Sequence, residues 1–157
     1  MKQSGLLMVI VMILSLTQGC LKKTDACKNK TPQEEETTIL AYASANGINA
    51  VKHSSGLYYE ITDPGTGNTP SPSSLIKVTY TGKLLDGQVF DQLSTPPAQG
   101  WPLYSLIQGW QIGIPLIKEG GSIKLIIPSS LAYGCEGSSP IPGNTILYFE
   151  VNLVQVQ

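Results

Sequence analysis

Few side chains in this sequence are of types that do covalent or metal chemistry, and their spacing excludes most of it. There are three cysteines, Cys20, Cys27 and Cys135, and one histidine, His53. None lies at the short spacing of a metal cage, so no metal site is expected. His53 falls in the polar stretch Lys52-His53-Ser54-Ser55-Gly56, which reads as exposed and carries no nucleophile motif. Aromatic rings and a few polar groups remain: Tyr80, Phe90, Asp91, Trp101, Trp110, Tyr133 and Phe149. Taken singly, Asp91 is the solvated end of a hairpin, and rings at alternating strand positions are core. Val89, Leu147 and Val151 are assigned to core alone.

The elements that must position these residues follow from pattern. The chain has 157 residues, 41% apolar and only 13% charged, with 16 Gly and 11 Pro. That composition points to one turn-rich, β-containing domain. A formal net charge of −1 and the absence of a basic stripe exclude nucleic-acid binding.

Lys2, the apolar run Leu6–Leu14 and a small-residue ending describe a secretory signal peptide, too short for a comfortable membrane span. Its end, Thr17-Gln18-Gly19-Cys20, resembles the bacterial lipobox, which implies cleavage before Cys20 and lipid on its thiol. A stable anchor needs more than one acyl chain and no spanning helix. Leu21–Gln33 is then a solvated tether. With Cys20 so used, Cys27 and Cys135 can pair or stay free. Their places in a polar tail and a late loop make two unpaired residues the preferred reading.

Glu34–Asn46 predicts a short helix with acidic residues at its start, an Asn46-Gly47 stop and an apolar face of Ile39, Leu40 and Ala43. It is a packing or spacer helix. Strands are predicted at Leu57–Thr62, Ile76–Leu85, Gln88–Asp91, Ser122–Pro128 and Ile146–Val156. Asp63-Pro64-Gly65 and Asp86-Gly87 make turns. The one short helix of the domain lies around Gln108–Ile114, ended by Pro115. In the last strand Leu147, Phe149, Val151 and Leu153 share the buried face. The fold class is therefore α+β.

Five fragments in order carry a specific resemblance: Val78-Thr79-Tyr80-Thr81-Gly82, Asp86-Gly87-Gln88-Val89-Phe90-Asp91, Leu106-Ile107-Gln108-Gly109-Trp110, Leu131-Ala132-Tyr133-Gly134 and Ile141-Pro142-Gly143. Phe149-Glu150-Val151 closes the set. Together they resemble FKBP-type (immunophilin) peptidyl-prolyl cis–trans isomerases over roughly Leu57–Val156. The resemblance implies an antiparallel five- to six-stranded β-sheet wrapping one short α-helix, with an aromatic pocket between them. Tyr80, Phe90, Trp101, Leu106, Trp110, Ile141 and Phe149 would bind substrate, with Trp110 as the floor and Ile141 on a flap loop. Asp91, Tyr133 and the Ile107 N–H would be the catalytic polar groups.

The sequence departs from the family pattern at Trp101, Gln108, Cys135 and Gly143, which bears on substrate preference and inhibitor affinity more than on activity. No cofactor is implied. Proline-containing polypeptides would be the substrates, macrolides possible inhibitors, and the chain a monomer. The implied division is 1–19 signal peptide, 20–33 tether, 34–56 helix and linker, and 57–157 isomerase domain, an exported lipoprotein of the cell envelope. The alternative function is a proline-segment-binding chaperone module with little turnover.

Overall fold

The computed structural model describes residues 26–157, so the leader and Cys20 lie outside the described residues. Helix α1 runs Pro32–Ala45, starting two residues before the sequence-based boundary. The reason is a capping box. The Thr31 hydroxyl accepts from the Glu34 N–H, while the Glu34 carboxylate accepts from the Thr31 N–H at 2.7 Å. Pro32 fits the first turn, where its missing N–H leaves no bond unmade.

Among the described residues seven strands form one antiparallel sheet: β1 (Val51–Lys52), β2 (Tyr58–Asp63), β3 (Leu75–Leu84), β4 (Val89–Leu93), β5 (Trp101–Pro102), β6 (Ser122–Ile127) and β7 (Leu147–Val156). Their spatial order is β1-β2-β6-β7-β3-β4, with β5 pairing β3. The count exceeds the expected five to six because β1 and β5 have two residues each, too short for alternation to announce.

Helix α2 (Gln108–Gly113) packs against β6. It comes close because Gly109 and Gly113 present no side chain. A Cβ at Gly109 would lie 2.5 Å from Ile127, and one at Gly113 2.6 Å from Leu125. This face of the sheet holds the main core, which includes Ile76, Val78, Ile123, Leu125, Ile127, Leu147, Val151 and Leu153.

The other face buries a second core of Ile39, Ala43, Ile48, Tyr58, Ile126, Ile146 and Tyr148. Helix α1 therefore packs on the domain through Ile39 and Ala43, while Leu40, expected on that apolar face, is 46% exposed. Burial of Ile39 contributes about 1.5–3 kcal/mol. The Lys52–Glu36 pair beside it adds little, because water screens it. His53 is half-buried, and its Nδ1 accepts from the Ser55 N–H in a local turn.

Cys27 and Cys135 are joined in a disulfide, with Cα atoms 5.6 Å apart. This corrects the expectation of two free thiols. The supposed tail does not run into solvent: the Lys30 N–H donates to Asn144 and the Asn144 amide donates to the Lys28 carbonyl, bringing Cys27 to the loop that holds Cys135.

Candidate functional site

A cavity of about 280 Å³ opens between α2 and the facing strands. It is lined by Tyr80 of β3, Phe90 and Asp91 of β4, Trp101 of β5, Leu106 and Ile107 before α2, Trp110 of α2, Tyr133 of the loop after β6, and Phe149 of β7. Ser105 also lines it, a residue that sequence reasoning missed. Its hydroxyl donates to the Pro102 carbonyl at 2.7 Å, and no local pattern marks it. Ile141 is not among the lining residues; it is buried in the main core at the edge of the loop.

Phe90 and Asp91 are neighbours in sequence, and a regular strand would send them to opposite faces. Both reach the cavity because β4 carries a bulge. Gly82 faces Asp91 and Lys83 faces Val89, leaving Phe90 as the extra residue. The same irregularity turns Val89 outward to 45% exposure, which corrects its assignment to the core. Gly82, also opposite Phe149, leaves room for both rings: a Cβ there would lie 2.7 Å from Phe90 and from Phe149.

The rings meet mostly edge to face. Trp110 lies 5.1 Å from Tyr80 and 5.3 Å from Phe149, at 88° and 83°. Phe90 meets Phe149 at 5.5 Å, and Trp101 meets Tyr80 at 6.2 Å. Such pairs are worth about 0.5–1.5 kcal/mol each beyond area burial, which holds an apolar wall in one shape. Trp110 is 4% exposed, and its indole N–H has no acceptor among the described residues.

The polar groups are few. The Tyr80 hydroxyl donates to Asp91 at 2.5 Å. Burial, then that bond, raises the Tyr80 pKa far above the ordinary tyrosine value. Burial and the Asp91 charge also raise Tyr133, which stays a protonated donor and has no bonded partner among the described residues. The Ile107 N–H likewise finds no acceptor among them, while its carbonyl caps α2 by accepting from Trp110 at 2.9 Å. Gln111, unremarked in the sequence, steadies this approach: its amide donates to the carbonyls of Leu106 and Tyr104 at 2.7 and 3.1 Å. The arrangement can enclose a small apolar ring and offer hydrogen bonds to carbonyls beside it.

A family model described as FKBP-type peptidyl-prolyl cis-trans isomerase matches residues 67–154. The FKBP-type peptidyl-prolyl cis-trans isomerase FkpA of Aeromonas hydrophila is 37% identical over 134 residues, 85% of this chain and 48% of that protein. The protein of that name from Escherichia coli (strain K12) is 37% identical over 149 residues, 92% of this chain and 52% of its own. This chain thus spans about half the length of the curated relatives it matches. The crystal structure of a peptidyl-prolyl cis-trans isomerase from Pseudomonas syringae pv. tomato superposes with a TM-score of 0.69 at 33% identity, covering 80% of this chain and 92% of that one.

Proposed function

Because this chain belongs to the FKBP-type peptidyl-prolyl cis-trans isomerase family, we propose that it catalyses rotation about Xaa-Pro bonds of exported polypeptides in the aromatic cavity. The supporting observation is one cavity in which the rings of Tyr80, Phe90, Trp110 and Phe149 stand beside two donors that no other described residue engages.

Amide resonance sets a barrier of ~18–20 kcal/mol to rotation. The planar amide is more charge-separated than the twisted one, so a dry aromatic wall disfavours the ground state relative to the transition state. Donors placed where the carbonyl arrives add to that difference, and each ~1.36 kcal/mol of it is tenfold in rate. In this reading the rings of Trp110, Phe90, Tyr80 and Phe149 enclose the proline. The Ile107 N–H and the Tyr133 hydroxyl donate to substrate carbonyls. Asp91 orients Tyr80 and polarises the rotating amide. No proton or bond is transferred. Trp101 and Leu106 complete the wall, and Ile141 supports the flap. Macrolides would compete for the same cavity, and the chain would act as a monomer.

The site is tested by cis–trans exchange of an Xaa-Pro peptide with the native chain, Asp91→Ala and Tyr133→Phe. Fast exchange that drops on the order of tenfold in the variants supports the enzyme. A folded chain without turnover would leave a proline-binding module instead.

We further propose export and lipid anchoring at Cys20, on the strength of Leu6–Leu14 and Gly19-Cys20. A disulfide such as Cys27–Cys135 fits an oxidising compartment. On this division 1–19 is the signal peptide, 20–33 runs from the lipid into the first residues of α1, 34–56 holds the rest of that helix and its linker, and 57–157 is the isomerase domain. Mass spectrometry of the mature chain decides it: a diacylglycerol adduct at Cys20, lost in Cys20→Ala, is expected. An unmodified thiol refutes the anchor.

A further inference from the structure

Tyr133 stands on a loop, 38% exposed, with little packing of its own to hold it. What holds the loop comes from the other end of the chain. Glu35 of α1 is 3% exposed, and none of the ion pairs among the described residues includes it. Its two oxygens accept from a single residue, Ser129: from the N–H at 2.8 Å and from the hydroxyl at 2.7 Å. Ser129 is fully buried, and its carbonyl accepts from the N–H groups of Ala132 and Gly134, which flank Tyr133. Beyond Tyr133, the Asn29 side chain accepts from the Cys135 N–H at 2.7 Å, and Cys27 is bonded to the Cys135 sulfur. Asn144 closes the arrangement, donating its N–H to the Gly134 carbonyl and bonding Lys28 and Lys30 through its side chain.

We propose that the segment Cys27–Glu35 is a clamp that positions Tyr133 for the isomerase reaction, with Glu35 and Asn29 as positioning residues. The inference rests on the role assigned to Tyr133 above. A buried carboxylate is a costly way to attach a helix, since burial disfavours its charge unless donors compensate. Apolar packing through Ile39 and Ala43 already attaches α1. What the carboxylate adds is direction: two bonds to one residue fix the turn Ser129–Leu131 and the start of the Tyr133 loop. The disulfide and Asn29 fix its far side, so the hydroxyl is held from both flanks rather than by its own contacts.

The experiment opens the clamp of the full chain in two ways. Glu35→Gln leaves one acceptor facing two donors. A dithiol reduces Cys27–Cys135 through a mixed disulfide, leaving two cysteine thiols and an oxidised cyclic reagent. Amide hydrogen exchange is read at Gly134, Cys135 and across β7. Xaa-Pro turnover is read in the native and Tyr133→Phe backgrounds. Each opening is expected to speed exchange at Gly134 and Cys135 by about tenfold or more while β7 keeps its protection. In the native background kcat falls about three- to tenfold with KM little changed, and in Tyr133→Phe it changes less than about twofold.

If Glu35→Gln does not fold, the dithiol arm decides alone. Unaltered amide exchange under both openings overturns the clamp. Equal loss of turnover in both backgrounds also overturns it, being what a mere anchor for α1 produces. If Tyr133→Phe by itself leaves turnover unchanged, the role of Tyr133 fails first and the positioning role with it.

Discussion

The two faces of the sheet handle polar groups in opposite ways. On the face covered by α1, hydroxyls and charges find partners: Tyr58 donates to Glu36 at 2.6 Å, Tyr148 to Glu150 at 3.0 Å, and Lys124 pairs with Glu60 at 2.8 Å. On the face covered by α2, the Ile107 N–H and the Tyr133 hydroxyl line a cavity with no partner among the described residues, and the Trp110 indole N–H is orphaned beside them. Both faces are well packed, so the difference is not one of core quality. A packed face that leaves donors open around a cavity is organised for a ligand, whereas one that pairs most of its polar groups is organised for stability.

The comparison is broken most forcefully at Trp110. Trp110→Ala is expected to cost about 3–5 kcal/mol of stability, less some relief from removing an orphaned donor, and to lower turnover more than tenfold. Chemical denaturation beside a turnover assay checks both. On the opposite face Ile126→Ala, at a fully buried site, costs about 2–5 kcal/mol yet leaves turnover per folded molecule within about twofold. A large loss of turnover there would erase the distinction between the faces.

Acid separates the faces next. The bond to Lys124, foremost, holds the Glu60 pKa below its ordinary value of 4.5. A lowered folded pKa means this stabilisation is complete above that value and is lost as pH falls through the folded pKa. Glu60→Gln, on the face covered by α1, should therefore flatten the acid limb of a stability–pH curve. The smallest effect is in base. Tyr80 and Tyr133 are both raised, so their hydroxyls remain donors where an ordinary tyrosine, near 10, would ionise. Turnover should stay level through about pH 10; a fall centred there would mean that neither hydroxyl is shielded.

Legibility in the sequence divides along local and distant lines. Strands β3, β6 and β7 are readable because alternation of Val78 with Tyr80, or of Leu147 with Phe149 and Val151, is a local pattern with period two. The cavity is legible through its ordered fragments, which name eight of the residues that line it besides Trp101, a departure from the family pattern. Val89 was misread because alternation presumes an unbulged strand, and the extra residue at Phe90 shifts the phase. The Glu35–Ser129 bonds span 94 residues and the Cys27–Cys135 bond 108. No local pattern encodes such pairings, since they arise only when the N-terminal segment folds back on the loop. Ser105 and Gln111 escaped for another reason: their contacts are to backbone carbonyls, which sequence does not distinguish.

The most direct test follows both faces at once during titration of the full chain with an Xaa-Pro peptide, by nuclear magnetic resonance of its N–H groups. The predicted result is saturable shifts of the Ile107 amide and the Trp110 indole N–H, with exchange between cis and trans peptide, while the Ile39 and Ala43 amides of α1, on the opposite face, stay still. Shifts spread evenly over both faces, or none at Ile107 and Trp110, would contradict it.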